Sequence, residues 1–303
     1  MKIIYFVILN YNTTIETKKC IESIRKLEGA DFQKKVIVID NCSTGNSFGE
    51  LQKIYGSDTD ISMYQMEKNI GFSRANNYGY DIVRKKGDAD FCIVCNSDIV
   101  FFQPDFLIRL QREYAYSGFY ICGPDVYCRA RENFWFRGHQ SPMYPIEWNK
   151  GYIKSYFWYN ELMLKNLKGE GYGVFREAGV RLLWLWWKCI KKICIGTIYH
   201  SYRTKRHENI PVHGSCIVLS VRFLAEEEKL FLPETEFYGE ELLLHLRSMR
   251  KGYKMVFNQE MIVEHLQGRA TSTVINDKEG KEFCYRNYMM AARTYLEELG
   301  KHG

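Results

Sequence analysis

Lys35-Val36-Ile37-Val38-Ile39-Asp40-Asn41-Cys42-Ser43-Thr44-Gly45 is the stretch on which the fold turns. Val36 to Ile39 form an apolar run without alternation, as expected of a strand covered on both faces. The run stops at Asp40, and a polar turn follows at once. Two other segments repeat the pattern. Ile3–Leu9 is apolar and ends in Asn10-Tyr11-Asn12; Phe91-Cys92-Ile93-Val94-Cys95 ends in Asn96-Ser97-Asp98. Between them, Thr14–Leu27 has helical spacing at Ile15, Cys20, Ile24 and Leu27. Helices are predicted near 47–54 and 71–86, with a short strand at 61–65. Strands alternating with helices over the first 125 residues predict an α/β fold with a mostly parallel sheet and helices on both faces. Such sheets bind ligands at the carboxyl ends of their strands. Asn10, Asn12, Asp40, Asn41, Ser43 and Asp98 all fall there.

The chain has 303 residues, of which 46% are hydrophobic and 26% charged, a globular composition without signs of disorder, collagen or coiled coil. A net charge of +6 is too small to demand an anionic partner, and no nucleic-acid-binding motif is present, so no nucleic-acid partner is expected. Aromatic residues reach 15%, a content suited to sugar stacking or a membrane interface. The ten cysteines form no framework, which fits free thiols in a reducing cytosol. Cys92 and Cys95 fall on opposite faces of one strand, so a CxxC zinc or redox site is not expected. The apolar start is short and lacks a small-residue cleavage site, so it reads as a first strand rather than a signal peptide.

Residues 146–207 differ in character. Trp148, Tyr152, Tyr156, Phe157, Trp158 and Tyr159 precede Trp184, Trp186 and Trp187, with Arg181, Lys188 and Lys192 on another helical stripe. Aromatic residues beside a basic stripe predict a helix resting in a membrane interface, peripheral at the inner face of the cell membrane, or else a helix packed on the domain or on a partner with solvated lysines. Beyond this insert, strands are predicted at 216–219 and 254–257 and helices at 237–251 and 281–299.

Several segments carry chemistry. Asp98, after a buried strand, suits a hard divalent ion bridging two phosphate oxygens. In Asn69-Ile70-Gly71-Phe72-Ser73-Arg74, Asn69 is a candidate helix cap, Gly71 permits close backbone approach, and Arg74 is placed to reach phosphate. Gly79 suggests close helix–sheet packing. Glu240 and Glu241 open a helix after Phe237-Tyr238-Gly239, which marks an exposed, functional turn. His265, between a strand and a polar loop, is a candidate metal or phosphate ligand.

In order along the chain, these segments resemble the inverting family 2 glycosyltransferases, and among them rhamnosyltransferase-like bacterial members that build surface polysaccharides. The carrying residues are Val7–Asn12, Val38–Ser43, Asn69–Phe72 with Asn77 and Gly79, Asn96–Asp98, His213–Cys216, Tyr238–Glu241 and Glu264–His265. The resemblance implies a GT-A type fold, with a Rossmann-like nucleotide-sugar-binding half at 1–125, the insert at 146–207 and an acceptor-binding, catalytic half at 210–303, all in one glycosyltransferase domain over 1–303. It implies that Asn10, Asn12 and Asp40 frame the nucleotide, with Asn41, Ser43, Asn69, Gly71, Arg74 and Asn96 also on the donor side. Asp98 and His265 would hold Mn²⁺ or Mg²⁺, His213 and Gly214 would lie on the acceptor side, and Glu241, with Glu240 beside it, would be the catalytic base. The partners implied are a nucleotide-diphosphate sugar and a glycan or lipid-linked oligosaccharide. Three positions depart from the family pattern: Gly45 where an acid is frequent, Asn96 for the first acid of a DxD-like motif, and Glu-Glu where Glu-Asp is frequent. A nucleotidyltransferase making the activated sugar would carry a Gly-rich basic loop after the first strand, where this chain has Asn10-Tyr11-Asn12-Thr13-Thr14. A degenerate scaffold would lack metal or base positions, and both are filled.

Overall fold

The computed structural model describes residues 1–129, 138–141, 146–170, 178–179, 182, 185, 204–266 and 278–300. In chain order, β1 (Lys2–Asn10), α1 (Thr14–Arg25), β2 (Phe32–Asp40), α2 (Ser47–Tyr55), β3 (Ile61–Gln65), α3 (Phe72–Lys86) and β4 (Phe91–Asn96) form the regular first half. They are followed by β5 (Ile99–Val100), α4 (Phe106–Ser117), β6 (Ile121–Tyr127) and α5 (Ile146–Leu167). The last part holds β7 (His207–Glu208), β8 (Cys216–Ser220), α6 (Val221–Glu226), α7 (Glu240–Lys251), β9 (Met255–His265) and α8 (Lys278–Gly300). One sheet runs in the order β3-β2-β1-β4-β8-β6-β9-β5, with β7 on β9.

The expected parallel arrangement holds for β1, β2, β3 and β4. The second half is mixed: β8 runs antiparallel to β4 and β6, while β6 and β9 pair in parallel. Register fixes the site. Asn10 lies opposite Asp40, and Leu9 lies opposite Asn96, so three strands end at one level. Further along, Ile99 pairs with His265, which brings the residue before β5, Asp98, beside the end of β9.

Alternate residues of the central strands feed two cores. Ile4, Phe6, Ile8, Val36, Val38, Ile93 and Cys95 pack with α1 and α4. Tyr5, Val7, Ile37, Ile39, Cys92 and Val94 pack with α3, α6 and α7. Cys92 and Cys95 thus sit on opposite faces, as the strand period requires. A third cluster joins Leu242, Leu243 and Leu246 of α7 to Ala292 and Tyr295 of α8, with Phe157 of α5 against it.

The elements predicted from sequence are present, and β4, β5, β6, β7, β8 and β9 are joined into one continuous sheet. β9 runs past its expected end at 257, through a register shift that skips from Asn258 to Ile262. The polar run Asn258-Gln259-Glu260 hides this continuation, because a bulge absorbs it while Asn258 bonds the buried Glu113 at 2.8 Å. Of the insert, α5 is a helix, and Leu182 and Leu185 are helical and exposed. Trp184, Trp186, Trp187, Lys188, Lys191 and Lys192 lie outside the described residues. No helix among the described residues is long and apolar enough to cross a membrane.

Gly79 of α3 lies flat against the sheet, where a Cβ would collide with Val7 and come within 3.0 Å of Ile39. Both neighbours are buried strand residues that cannot yield. Gly79→Ala should therefore destabilise the fold by about 1–3 kcal/mol, the usual cost of overpacking, despite the better helix propensity of alanine. Urea unfolding measures this; an unchanged or raised midpoint would refute the packing argument.

Candidate active site

The donor-side floor is built from the ends of β1 and β2. Asn10 has no exposed surface, and its amide donates to Asp40 Oδ2 at 2.6 Å, Ser47 Oγ at 3.2 Å and Ser43 Oγ at 3.3 Å. Its amide oxygen accepts from Thr13 at 3.0 Å and Thr17 at 2.8 Å. Asp40, equally enclosed, accepts the Ser43 backbone N–H at 2.9 Å and the Ser43 hydroxyl at 2.6 Å. Asn10 and Asp40 therefore hold the two loops together, and the surface they offer is carried by the loop residues Asn12 and Ser43. Ser43 Oγ accepts the Asn12 N–H at 2.9 Å, and Thr44 bonds the Asn12 side chain at 3.2 Å.

A second polar knot fixes the entry to α3. The Asn41 amide donates to Asn69 Oδ1 at 3.0 Å and accepts the Ile70 N–H at 3.0 Å. Asn69 Oδ1 also takes the Gly71 N–H at 3.0 Å, so Asn69 closes the turn and the helix itself starts from Gly71. Gly71 has φ +83°, and a Cβ there would lie 3.0 Å from the Glu236 carbonyl, so the expected close approach is to this chain's own backbone. Arg74 is half exposed and pairs with Glu234, 3.3 Å away. Glu234 draws it there while also held by Lys229 and Asn77.

Asp98, Asn96, His265 and His213 meet where β4, β5, β8 and β9 converge. The Asn96 N–H donates to the Ser215 carbonyl at 2.9 Å, and the Leu266 N–H donates to the Asp98 carbonyl at 2.9 Å. Asp98 Oδ1 lies 3.2 Å from His265 Nε2, and both side chains are largely buried. His265 Nδ1 faces the amide oxygen of Gln140 at 2.9 Å, and since that oxygen only accepts, Nδ1 carries the hydrogen. Nε2 then faces the carboxylate, an arrangement that a proton or a cation between them satisfies. Two ligands about 2.1 Å from one ion and at a right angle are about 3 Å apart, so the pair fits a divalent ion. No group of three or more His, Cys, Asp or Glu among the described residues forms a closed metal cage. An ion at Asp98 and His265 would thus keep positions open for phosphate and water. The His213 ring lies 6.1 Å from that of His265, and its Nδ1 is 2.8 Å from Ser215 Oγ.

The acidic pair opens α7, and its members meet different surroundings. Glu240 is buried and accepts from Thr235 at 2.8 Å and Ser73 at 3.3 Å. Burial raises its pKa, against the pull of these hydroxyls and of its backbone bond. Glu241 is partly buried and packs on Gly214, where a Cβ would stand 3.2 Å from its Oε2. Burial, and then the neighbouring Glu240 charge, push its pKa up to about 7. Non-glycine residues with positive φ gather around the site: Asn12 (56°), Cys42 (62°) and Tyr238 (74°), with Asn209 (56°) the other among the described residues. Backbone strain of this kind concentrates where a fold over-determines a functional turn.

The structure therefore draws Asn10, Asn12, Asp40, Asn41, Ser43, Asn69 and Gly71 into one floor and Asn96, Asp98, His213, Gly214, Glu241 and His265 into one wall. Sequence reading missed Thr13, Thr17, Ser47, Ser73, Thr235 and Gln140. Hydroxyl and amide residues of this kind follow no periodicity, and Gln140 is remote in sequence from the histidine it orients.

Residues 5–178 match the sequence model described as Glycosyl transferase family 2. The chain belongs to that family. The match takes in the donor floor and Asp98, while Gly214, Glu240, Glu241 and His265 lie beyond it. Among solved structures, S. aureus TarS 1-349 superposes with a TM-score of 0.52 at 11% identity, over 100% of this chain and 74% of that one. The same protein in complex with UDP-GlcNAc gives a TM-score of 0.37 at 19% identity, over 47% of this chain and 37% of that one. A comparison with curated proteins found no match. The chain described here is thus a family 2 member with the GT-A type of fold, a mixed sheet between helical layers.

The raised pKa of Glu241 has a consequence for stability. Below the ordinary value of 4.5 both folded and unfolded chains hold the proton, and the group costs nothing. Between that value and about 7 the unfolded chain ionises first, so stability is lost as pH rises; above about 7 the loss is complete. Glu241→Gln should therefore be more stable than the parent at pH 8, by at most about 3 kcal/mol, and equal to it near pH 4. Urea titrations at the two pH values test this, and a Gln variant less stable at pH 8 would contradict it.

Proposed function

We propose that this glycosyltransferase moves a sugar from a nucleotide-diphosphate sugar to an acceptor hydroxyl with inversion, using a divalent ion, Mn²⁺ or Mg²⁺, at Asp98 and His265. One observation carries the reading. The segment His213-Gly214-Ser215 joins the two chemical centres: His213 faces the His265 ring at 6.1 Å, and Gly214 backs onto the Glu241 carboxylate. Metal pair and base thus share one wall.

On this reading the donor lies over the floor of Asn12, Ser43 and Asn41, with its diphosphate toward Asp98. The acceptor oxygen attacks the anomeric carbon from the face opposite the diphosphate. Its proton passes to Glu241, and the bond from the anomeric carbon to the phosphate oxygen breaks with its electron pair on the departing nucleoside diphosphate. A divalent ion, when bound, offsets the negative charge gathering on that leaving group. Glu241 is suited to the base role because a pKa near the operating pH balances ionisation against basicity. Glu240, tied down by Thr235 and Ser73, orients the turn. UDP-GlcNAc, bound in one TarS structure, is a first donor to try.

Glu241→Gln should leave metal and donor binding intact and slow transfer by roughly 10²-fold or more, the usual scale of general-base loss, with Glu240→Gln costing less. The parent rate should rise about tenfold between pH 6 and pH 8, as a base with a pKa near 7 ionises. Asp98→Ala should abolish metal-dependent donor binding in a folded protein. Donor screening by thermal shift with Mn²⁺ or Mg²⁺, followed by product assays, reads all three. Transfer unaffected by both glutamate changes would remove the base from α7.

We further infer that the acceptor is a lipid-linked glycan met at the inner face of the cell membrane, in the making of a bacterial surface polysaccharide. The aromatic and basic sequence of 146–207 supports this, as do the exposed Leu182 and Leu185. The protein should sediment with anionic vesicles, and salt or Lys188, Lys191 and Lys192→Glu should release it, each basic residue contributing about 1 kcal/mol. Sedimentation indifferent to both would refute the membrane contact.

A further inference from the structure

The turn that delivers the acidic pair is strained at its centre. Tyr238 has φ 74°, a left-handed conformation that bulky side chains avoid. Gly239 follows with φ +83° and meets α8 directly, since a Cβ there would stand 3.1 Å from that of Ala291. The helix entry that aims Glu240 and Glu241 depends on both residues staying left-handed.

The rings around Tyr238 hold it there. Its face stacks on Tyr288 of α8, with centroids 3.8 Å apart and planes 18° from parallel. Its hydroxyl lies beside that of Tyr288 and the Cys284 thiol. On the other side Phe237 meets Tyr238 edge-on at 4.4 Å, and Phe72, the first residue of α3, meets Phe237 at 5.9 Å. Cys284, Tyr288 and Ala291 follow one another at helical spacing, so a single face of α8 is applied to the turn. These contacts tie the C-terminal helix to the residues that flank both the donor floor and the acidic pair.

We propose that Tyr288 is a positioning residue for transfer: its ring locks Tyr238 in the left-handed turn, and the turn fixes where the carboxylates of Glu240 and Glu241 point. The proposal rests on Glu241 being the base. It makes α8, which lies outside the family match, part of the catalytic apparatus. The neighbouring carboxyl acting on Glu241 is that of Glu240, and α8 and the turn bring the titratable groups Tyr238, Tyr288 and Cys284 together.

The test is the titration of Glu241 in protein carrying ¹³C-labelled glutamate carboxyls, a readout that needs no sugar donor. Glu241→Gln and Glu240→Gln identify the two signals. Tyr288→Leu removes the stack and should free Glu241 toward solvent, lowering its midpoint by about one unit or more, while Tyr288→Phe keeps the ring and the midpoint. A folded Tyr288→Leu protein with an unmoved midpoint would overturn the clamp. Tyr238→Asn gives a second route, because asparagine tolerates the left-handed backbone without a ring to stack. In that background Tyr288→Leu should shift Glu241 little further; a full, additive shift would count against coupling through Tyr238. Rates of transfer separate the two ideas. An unmoved titration with transfer lost in Glu241→Gln removes the clamp alone, whereas transfer intact in Glu241→Gln removes the base assignment and the purpose of the clamp with it.

Discussion

The contact between Asn10 and Asp40 is the constraint on which the rest of the site depends. Two polar side chains end adjacent parallel strands at the same level and are wholly enclosed. A buried carboxylate is costly unless its oxygens are satisfied, and here Asn10, the Ser43 amide and the Ser43 hydroxyl satisfy them. That requirement dictates the loops. Ser43 can serve Asp40 only if the chain turns back at once after Asn41, which Cys42 permits by adopting φ 62°. Thr13 and Thr17 can serve the Asn10 oxygen only if α1 begins where it does. Loop conformation at the carboxyl edge is therefore a consequence of satisfying two buried polar groups, and the open rim at Asn12 and Ser43 follows from it.

This explains what was legible in the sequence. Buried parallel strands write themselves as unbroken apolar runs, so β1, β2 and β4 and the polar residues that end them were readable directly. Asn10, Asp40 and Asp98 stood out because a polar residue after such a run has to do something with its polarity. β9 was half hidden because its bulge carries Asn258, Gln259 and Glu260 through the sheet, and polar residues in a row do not read as strand. The direction of β8 was not legible at all, since direction is fixed by the path of the preceding chain and leaves no periodic mark. Arg74 reads as a candidate phosphate contact from its place near a glycine turn, while its pairing with Glu234, far along the chain and 3.3 Å away, is visible only in the tertiary structure. Gln140 is the same case: it orients His265 through one hydrogen bond between loops remote in sequence.

Adjacent carboxylates at a helix start could be no more than complements to the helix dipole. The surroundings of Glu240 and Glu241 argue for more than that. A dipole complement gains nothing from being enclosed, yet Glu240 is 3% exposed and Glu241 packs on the backbone at Gly214. About 100° of helical turn separates their directions, so they meet different partners. Glu240 finds two hydroxyls, both on Oε1, which tie that oxygen into the protein. Glu241 accepts its own backbone N–H, packs on a residue without a side chain, and keeps part of its surface open. Glu241, partly open and packed on the segment that also carries His213, is therefore the member of the pair that the proposed mechanism assigns as base.

The cost of that arrangement falls on the turn before it. A left-handed tyrosine is disfavoured by about 1–2 kcal/mol, and an aromatic stack returns about 0.5–1.5 kcal/mol beyond its buried area. The two are close enough that neither local preference nor packing alone decides the conformation of Tyr238. Glycine at 238 would remove the strain but also the ring that Tyr288 grips, leaving a turn free to adopt other conformations at the point where two like charges already repel. A strained residue held by a stack gives a narrower geometry than an unstrained residue held by nothing. If Glu241 is the base proposed above, it has to meet an acceptor hydroxyl within hydrogen-bonding distance, and that narrowness is worth more than the stability it forgoes.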